Sequence, residues 1–560
     1  MPQTLELIEV DGKQLEDLLR RVEQSLDEQD SLLVRRVFES YAYVSDLVED
    51  KNTSIRRLRE LFFGARTEKT DAVTGRKTKK PEGDPPSEAD AGAEGTDESK
   101  ESEATSAAKG HGRNGSEAYR GGTWIDVPHP SLTAGDACPA CEEGTVYDKA
   151  PGVLVRITGQ PPLAAKIYQL EKLRCHLCGQ VFTATAPEAA GDQKYDATAG
   201  SMIGLLKYGN GLPFHRLDGL QADLGVPLPA STQWDIVKAV AVNIKPAFDE
   251  LIRQAAQGEV LHNDDTTVKI LELMGDQGRQ EIAEDEDVAD RRKGLFTSGV
   301  VALGDGHRIA LFFSGRRHAG ENLAEVLKHR LESLPPPIQM CDALSRNLPG
   351  ELRTIVGHCL AHARRRFVDV YERFPEPCGH LLEALSVVYR NDAVARERRL
   401  SPEARLRFHQ EASRPTMQDL HDWLTRQLGE KRVEPNSSLG GAITYMLKHW
   451  DRLTLFLRQA GAPLDNNVCE RALKKAILHR KNALFYKTRN GAWVGDLLMS
   501  LIYTCQLNHA NPFDYLTELQ RHADQLASSP QLWMPWNYRE ALAGAPTRKD
   551  SGSVVRADFP

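Results

Sequence analysis

At 560 residues the chain is long enough for three or four domains of about 150 residues each. Its 40% hydrophobic and 27% charged composition is that of a globular protein, not of a fibre or repeat array. No run approaches ~18 consecutive apolar residues, and the N-terminus lacks a basic stretch followed by an apolar one. Neither a membrane span nor a signal peptide is expected, which makes the expected location cytoplasmic. The net charge of −8 resides wholly in residues 81–107, and the other residues sum to zero. The acidic balance therefore does not exclude nucleic acid as a partner.

In chain order, residues 13–63 repeat apolar positions at alternating three- and four-residue steps, from Leu15, Leu19 and Val22 to Leu58 and Phe62. A narrow stripe flanked by charge predicts a self-associating coiled coil over 1–70, the alternative being a helix packed on its own protein. Residues 71–120 have too little apolar surface to offset ordering entropy and read as a disordered acidic linker. Residues 121–190 form the module bearing two cysteine pairs. Over 191–250 the pattern is helical, and two helices around LGVPLPAS are helix-turn-helix-like. The second, over about 231–241, is the candidate for a major groove, although its only base is Lys238 and a plain packing unit is the alternative.

From 251 to 370 strands take over. EVLHNDDTTVKILEL, KGLFTSGVVAL, RIALFFS and PPIQMCDAL read as β-rich, with a helix before the fourth and a fifth short strand opening TIVGHCLAHARRRF. Three antiparallel strands, then helix, strand, helix and strand is the order of a ribonuclease-H-like fold. Residues 371–463 read as an α-helical insertion, 464–527 as the returning helices of the core, and 528–560 as a C-terminal tail.

Three constellations carry chemistry. CPAC and CHLC place Cys138, Cys141, Cys175 and Cys178 as two knuckles around a hairpin-sized spacer, a sulfur cage suited to structural Zn²⁺ and without an open position for catalysis. Asp264 and Asp265 lie in the first strand on opposite faces. Asp342 follows the apolar strand IQM, and Glu470 lies in a helix that Asp465 or Asn466 can cap. Three carboxylates so distributed can share two divalent ions. Asp342 as a helix cap and Glu470–Lys474 as a surface pair are the plain alternatives. His358 and His362, four apart without an adjacent Glu, read as core or backbone-bonding. Basic runs at Arg364–Arg365–Arg366, at Arg390, Arg396, Arg398 and Arg399, and at 464–490 suit a phosphodiester strand.

LHNDDTTVKIL, VGHCLAHARRRF, LDNNVCERALKKAILHRKNALFY and MPWNYR, in that order, resemble the insertion-sequence-sixty-six family of bacterial DDE-type transposases. LRELFFGARTEK, GHGRNG and the paired cysteines extend the resemblance over nearly the whole chain except the linker. Two departures stand out. Asp264-Asp265-Thr266-Thr267 occupies the place of the family's Asp-Glu-Thr-Pro, and Asp342 is followed by Ala-Leu, not Gly-Tyr.

The resemblance implies an α/β protein: a ribonuclease-H-like catalytic core with a large α-helical insertion, preceded by a coiled coil, a four-cysteine zinc ribbon and a helix-turn-helix-like segment. Asp264, Asp342 and Glu470 would be catalytic, holding two Mg²⁺ (or Mn²⁺) ions, with Arg471, Lys474, Arg480 and Lys481 holding phosphates. The implied partners are double-stranded DNA (element ends and target), at least one further copy of the chain, and small accessory proteins of the same element. No membrane is implied, and the location becomes nucleoid-associated. A metal nuclease that cuts without joining and a DNA-binding protein with a dead core are the alternatives.

Overall fold

The structure is a computed structural model that describes residues 130–137, 139, 160, 162–174, 176, 181–191, 193–275 and 292–544. The expected coiled coil, the acidic linker and the four paired cysteines lie outside the described residues. In chain order, strands β1 (Lys172–Arg174) and β2 (Val181–Thr183) are followed by helices α1 (Ala197–Gly204), α2 (Phe214–Asp223) and α3 (Ala230–Ala255). Next come β3 (Val260–Thr267), β4 (Phe296–Gly304), β5 (His307–Gly315), α4 (Ala319–Leu327), β6 (Ile338–Cys341), β7 (Ile355–His358) and α5 (Leu360–Val370). Four helices follow: α6 (Pro375–Glu397), α7 (Pro402–Ala412), α8 (Arg414–Gly429) and α9 (Ser438–Lys448). The chain returns through α10 (Asn467–Ala483), α11 (Arg489–Leu507) and α12 (Pro512–Arg521). Among the described residues no helix is long and apolar enough to cross a membrane.

β3 to β7 form one sheet in the order β5-β4-β3-β6-β7, so the first of these strands is central. β4 and β5 make an antiparallel hairpin, while β3–β6 and β6–β7 are parallel. The described chain divides into two compact units, one holding 259–264 and 333–470, the other holding 265–332, 471–544 and the described residues before 259.

In the first unit, α6 inserts Leu381, Leu382, Leu385 and Val388 into a helical core at three- and four-residue spacing. Asp392 of α6 is buried and bound by Arg405 Nη2 at 2.6 Å, Arg396 Nε at 3.2 Å and His409 Nε2 at 3.3 Å. Burial alone would raise its pKa. The His409 bond and the two guanidinium charges outweigh burial and hold the carboxyl below its usual range. Arg396, read from sequence as part of a third basic cluster, is thus engaged inside the insertion. Gly440, in the first turn of α9, must be glycine: a Cβ there would lie 2.1 Å from the carbonyl oxygen of Glu434.

In the second unit, α3 is longer than the expected helix and buries Val237, Val240, Ala241, Ile244, Phe248 and Leu251 along one face. Gln233 Nε2 donates to the carbonyls of Phe214 (3.0 Å) and Leu228 (2.9 Å), tying α2 and the intervening turn to α3. Lys238 lies on the exposed face. Contrary to the strand expected through KILEL, β3 stops at Thr267 and Leu271–Met274 form a helical turn. The cause is tertiary: the Leu271 and Glu272 amides donate to the carbonyls of Tyr486 and Lys487. Beyond Pro530, Trp533, Met534 and Tyr538 are buried, so the segment set apart as a tail packs at least through the helix Tyr538–Gly544.

β5 is a sheet edge whose open backbone groups are met by side chains of α11. Asp496, Ser500, Thr504 and Asn508 recur every four residues, a rise of about 6 Å. Ser314, Phe312, Ala310 and Arg308 recur every two strand residues, about 6.7 Å. The matched spacing lets Asp496 Oδ2 accept from Ser314 N (2.6 Å), Ser500 Oγ from Phe312 N (2.9 Å), Thr504 Oγ1 from Ala310 N (3.1 Å) and Asn508 Oδ1 from Arg308 N (3.1 Å). The edge is thereby closed to pairing with another strand.

Burial pushes the Asp496 carboxyl up to about 7, against the opposing pull of its two Ser314 hydrogen bonds. Between pH 4 and 7 the folded protein therefore binds more protons at this site than the unfolded chain, and stability falls as pH rises through that window. Asp496→Asn is expected to remove that slope, so that the urea midpoint of the variant relative to wild type rises from pH 5 to pH 8. An unchanged difference at the two pH values would contradict this.

Candidate active site

β3 and β6 pair in parallel with Val260 opposite Ile338, Leu261 opposite Gln339 and His262 opposite Met340. Continuing that register by two residues sets Asp264 opposite Asp342 at the carboxyl ends of both strands. Residues in register on neighbouring strands share a face, and the strands are about 4.8 Å apart. Asp265 points to the other face. Its buried carboxylate meets His318 Nδ1 at 2.8 Å, and His318 opens α4 in a capping box with Glu321. Alternation therefore separates two adjacent aspartates, one tied to a helix cap and one at the sheet's C-terminal edge.

A buried polar network fixes that edge. Asn263 Nδ2 donates to the Asn347 carbonyl at 2.8 Å, and Gln339 Nε2 donates to both Asn263 Oδ1 (2.9 Å) and the same carbonyl (2.7 Å). Thr354 Oγ1 holds Gln339 Oε1 at 2.8 Å. Asn347 Nδ2 donates to Asp342 Oδ1, which also accepts the Leu344 amide at 3.1 Å. Asp342 does anchor the short helical turn Ser345–Asn347 that follows it, and its carboxylate is oriented by doing so.

Glu470 sits in the first turn of α10. The cap comes from Asp465, whose carboxylate accepts the Asn467 amide at 3.1 Å and Asn467 Nδ2 at 2.9 Å. Asn466 does something else. Fully buried, it accepts from His262 Nδ1 at 3.0 Å through Oδ1, donates from Nδ2 to the Asn263 carbonyl at 3.1 Å, and donates its backbone amide to Cys359 Sγ at 3.2 Å. One side chain thus clamps the start of α10 to β3, and its backbone clamps it to the turn before α5. The Glu470 amide then bonds the Asn466 carbonyl at 3.1 Å. Neither Asn466 in this role nor Asn263 and Asn347 was visible in the sequence, since their partners are up to 204 residues away.

Three buried thiols lie around the acids. Burial raises the pKa of Cys341, helped by Asp342 and Asp264, and that of Cys469, helped by Asp264 and Glu470. Both thiols therefore feel Asp264, and each feels one of the other two acids. Cys359 is pushed up to about 12, again mainly by burial. These cysteines are therefore neutral thiols near pH 7.

Among the described residues, the potential metal ligands that cluster within 4.8 Å of one another are Cys359, His362 and Glu470, with Asp264 and Asp342 outside that set. Glu470 Oε1 and His362 Nδ1 are buried atoms without a hydrogen-bond partner. They stand 3.6 Å apart, too far to bond each other. Two orphaned ligand atoms facing each other, with the Cys359 thiol completing the cluster, suit a metal ion. His362 was read from sequence as a core residue. Its place in the first turn of α5, four residues after His358, was the available signal.

The predicted phosphate-binding residues separate. Successive residues of α5 are about 100° apart, so Arg364 is buried, Arg365 Nη2 lies 3.9 Å from Glu470 Oε2, and the Arg366 guanidinium stacks on Tyr445 at 3.8 Å. On α10, Arg471, Lys474 and Lys481 are exposed along one face. Arg480 turns away to donate to the hydroxyls of Thr266 (3.0 Å) and Thr267 (2.8 Å) at the end of β3.

A family model described as Transposase IS66 family matches residues 194–493, more than half of the chain and all of the segment from α1 through α10. Three proteins of Sinorhizobium fredii, each described only as uncharacterized, are similar to this chain. The first, y4hP, is 28% identical over 402 residues, covering 67% of this chain and 68% of its own. The second, y4jD, is 28% identical over 391 residues, covering 66% and 72%. The third, y4qI, is 25% identical over 353 residues, covering 61% and 62%. With its mixed α/β architecture and the matched segment spanning its carboxylate-bearing sheet edge, the chain belongs to the Transposase IS66 family.

Proposed function

We propose that this transposase cleaves DNA at the ends of its element and joins those ends to target DNA, using Asp264, Asp342 and Glu470 on a ribonuclease-H-like core. The observation that carries the reading is the in-register placement of Asp264 and Asp342 on parallel strands, with Glu470 delivered to the same unit by the Asn466 clamp. A sheet whose first strand is central, with a run of helices inserted before α10 returns, supports the ribonuclease-H-like reading.

Asp264, Asp342 and Glu470 would hold two Mg²⁺ or Mn²⁺ ions, which when bound supply an activated water or 3′-hydroxyl and neutralise the leaving oxygen. The chain's own residues prepare that chemistry. Arg365 balances the charge of Glu470, and His362 offers Nδ1 beside it. Arg471, Lys474 and Lys481 hold phosphates along the exposed face of α10, and Arg364, Arg366 and Arg480 brace the elements that present them.

Ahead of this core, Cys138, Cys141, Cys175 and Cys178 form a structural zinc module. The antiparallel pairing of β1 with β2, with Arg174 opposite Val181, flanks Cys175 and Cys178 in sequence and supports that assignment. The purified chain is expected to carry stoichiometric zinc that Cys175→Ser releases, as read by atomic absorption. The N-terminal helices bring together at least two copies, so that both element ends are held at once, and accessory proteins of the same element complete the assembly.

The deciding experiment incubates the chain with labelled DNA bearing the element's own ends in Mg²⁺ or Mn²⁺. Joined products are the expected result. Cleavage without joining, with the accessory proteins added, would make the chain a nuclease, and binding without cleavage would make it a DNA-binding protein with a dead core.

A further inference from the structure

We propose that Leu484 and Phe485, in the turn that ends α10, form a rigid wedge that enters a base step of bound duplex DNA and unstacks it. The inference rests on the DNA-processing reading above and adds a second point of engagement with the same substrate.

Both side chains face solvent, Leu484 at 62% exposure and Phe485 at 43%. They do so from a strained backbone. The Phe485 amide bonds the Ala483 carbonyl at 2.8 Å, closing a three-residue turn with Leu484 at its centre and φ +66°. That is the strained hand of the γ-turn, uncommon for any residue but glycine. Such a conformation persists only where the surroundings impose it.

They do so here on both sides. The Leu484 amide bonds the Arg480 carbonyl at 2.9 Å. Past the turn, Tyr486 exchanges main-chain bonds with Lys269 and Leu271 at 2.8 and 2.9 Å, and Lys487 receives the Glu272 amide at 3.1 Å. The Tyr486 ring is buried and stacks on His479, centroids 4.6 Å apart and planes within 14°. Two apolar side chains are thus held out by a pinned frame, with little ordering entropy left to lose on insertion.

The surrounding charge identifies the occupant. Residues 471–490 contain seven lysines and arginines and no acid. Arg471, Lys474, Lys481, Lys487 and Arg489 are all exposed. A basic frame around an apolar tip is complementary to a duplex, whose phosphates meet the bases of the frame while Phe485 presents a ring face and Leu484 a spacer to the separated base pairs. A protein partner of comparable apolar character would gain nothing from the five exposed positive charges around the tip.

The test uses the full chain and a nicked duplex carrying 2-aminopurine beside the nick, where unstacking costs least. Binding is read by anisotropy and unstacking by 2-aminopurine fluorescence. Wild type is expected to bind and raise the fluorescence several-fold. Phe485→Ser is expected to bind within about tenfold of wild type, since stacking gained and stacking lost nearly offset, and to lose the rise. Leu484→Gly suits the positive φ, so it folds at least as well as wild type, and it is expected to reduce the rise without lowering the melting temperature.

A rise that persists in both variants, or wild-type binding with no rise, would overturn the wedge while leaving the DNA reading intact. So would conversion of a wild-type dimer to monomer by Phe485→Ser, seen by sedimentation without DNA, because the tip would then belong to an interface between copies. Failure of wild type to bind the duplex at all would overturn the DNA reading and the wedge with it.

Discussion

Glu470→Gln is expected to lower Mg²⁺-dependent cleavage and joining by on the order of 10³-fold, with DNA affinity nearly unchanged. The amide keeps the size and planarity of the carboxylate, so α10 and its Asn466 clamp stay in place. What disappears is a negative charge that Arg365 faces from 3.9 Å and that stands 3.6 Å from an orphaned His362 nitrogen. The informative control is Asp265→Asn. That carboxylate is bound to His318 on the opposite face of β3, so its loss is expected to lower the melting temperature more than the rate. Gel analysis of labelled element ends, with both variants at matched DNA occupancy, separates the two effects. Joining retained in Glu470→Gln would remove Glu470 from the chemistry.

The second large effect concerns a residue that touches no reacting atom. Asn466→Ala deletes two buried hydrogen bonds, to His262 Nδ1 and to the Asn263 carbonyl. At about 0.5–1.5 kcal/mol each, a loss of about 1–3 kcal/mol in urea unfolding is expected. Activity should fall by a further ~10–100-fold at temperatures where the variant remains folded, the size seen when a supporting partner of a metal ligand is removed. Raising Mn²⁺ should restore part of that activity, because the damage is to ligand placement and not to ligand identity. Asn466→Asp is the discriminating companion. It keeps an acceptor for His262, loses the donor to the Asn263 carbonyl and buries a charge, so it should be no more stable than the alanine variant. A stability loss below ~1 kcal/mol in both variants would show that α10 is positioned by other contacts.

Much of this was legible in the chain. Short β-rich apolar runs located the strands from β3 to β7, because strands buried on both faces are written locally as continuous apolar stretches. The runs at 371–463 and 464–527 were legible as helical for an equally local reason, at period 3.6. Both elements carrying Asp264 and Asp342, and the helix carrying Glu470, followed from patterns spanning no more than a dozen residues. The end of β3 was misjudged over KILEL because bonds to Tyr486 and Lys487, more than 200 residues on, override a good local strand pattern.

What the sequence by itself determined is therefore the set of elements and the acids they bear. Tertiary structure alone decided which of two adjacent aspartates meets His318, how the parallel register levels Asp264 with Asp342, and that three successive arginines serve three different purposes. It also decided that Asn466 is a clamp and not a cap, and that Asp496, Ser500, Thr504 and Asn508 close the edge of β5. The physical reason is common to all of these. Local periodicity reports which face of an element is buried, whereas a hydrogen-bond partner on a distant segment is set by geometry that exists only after the chain has closed on itself.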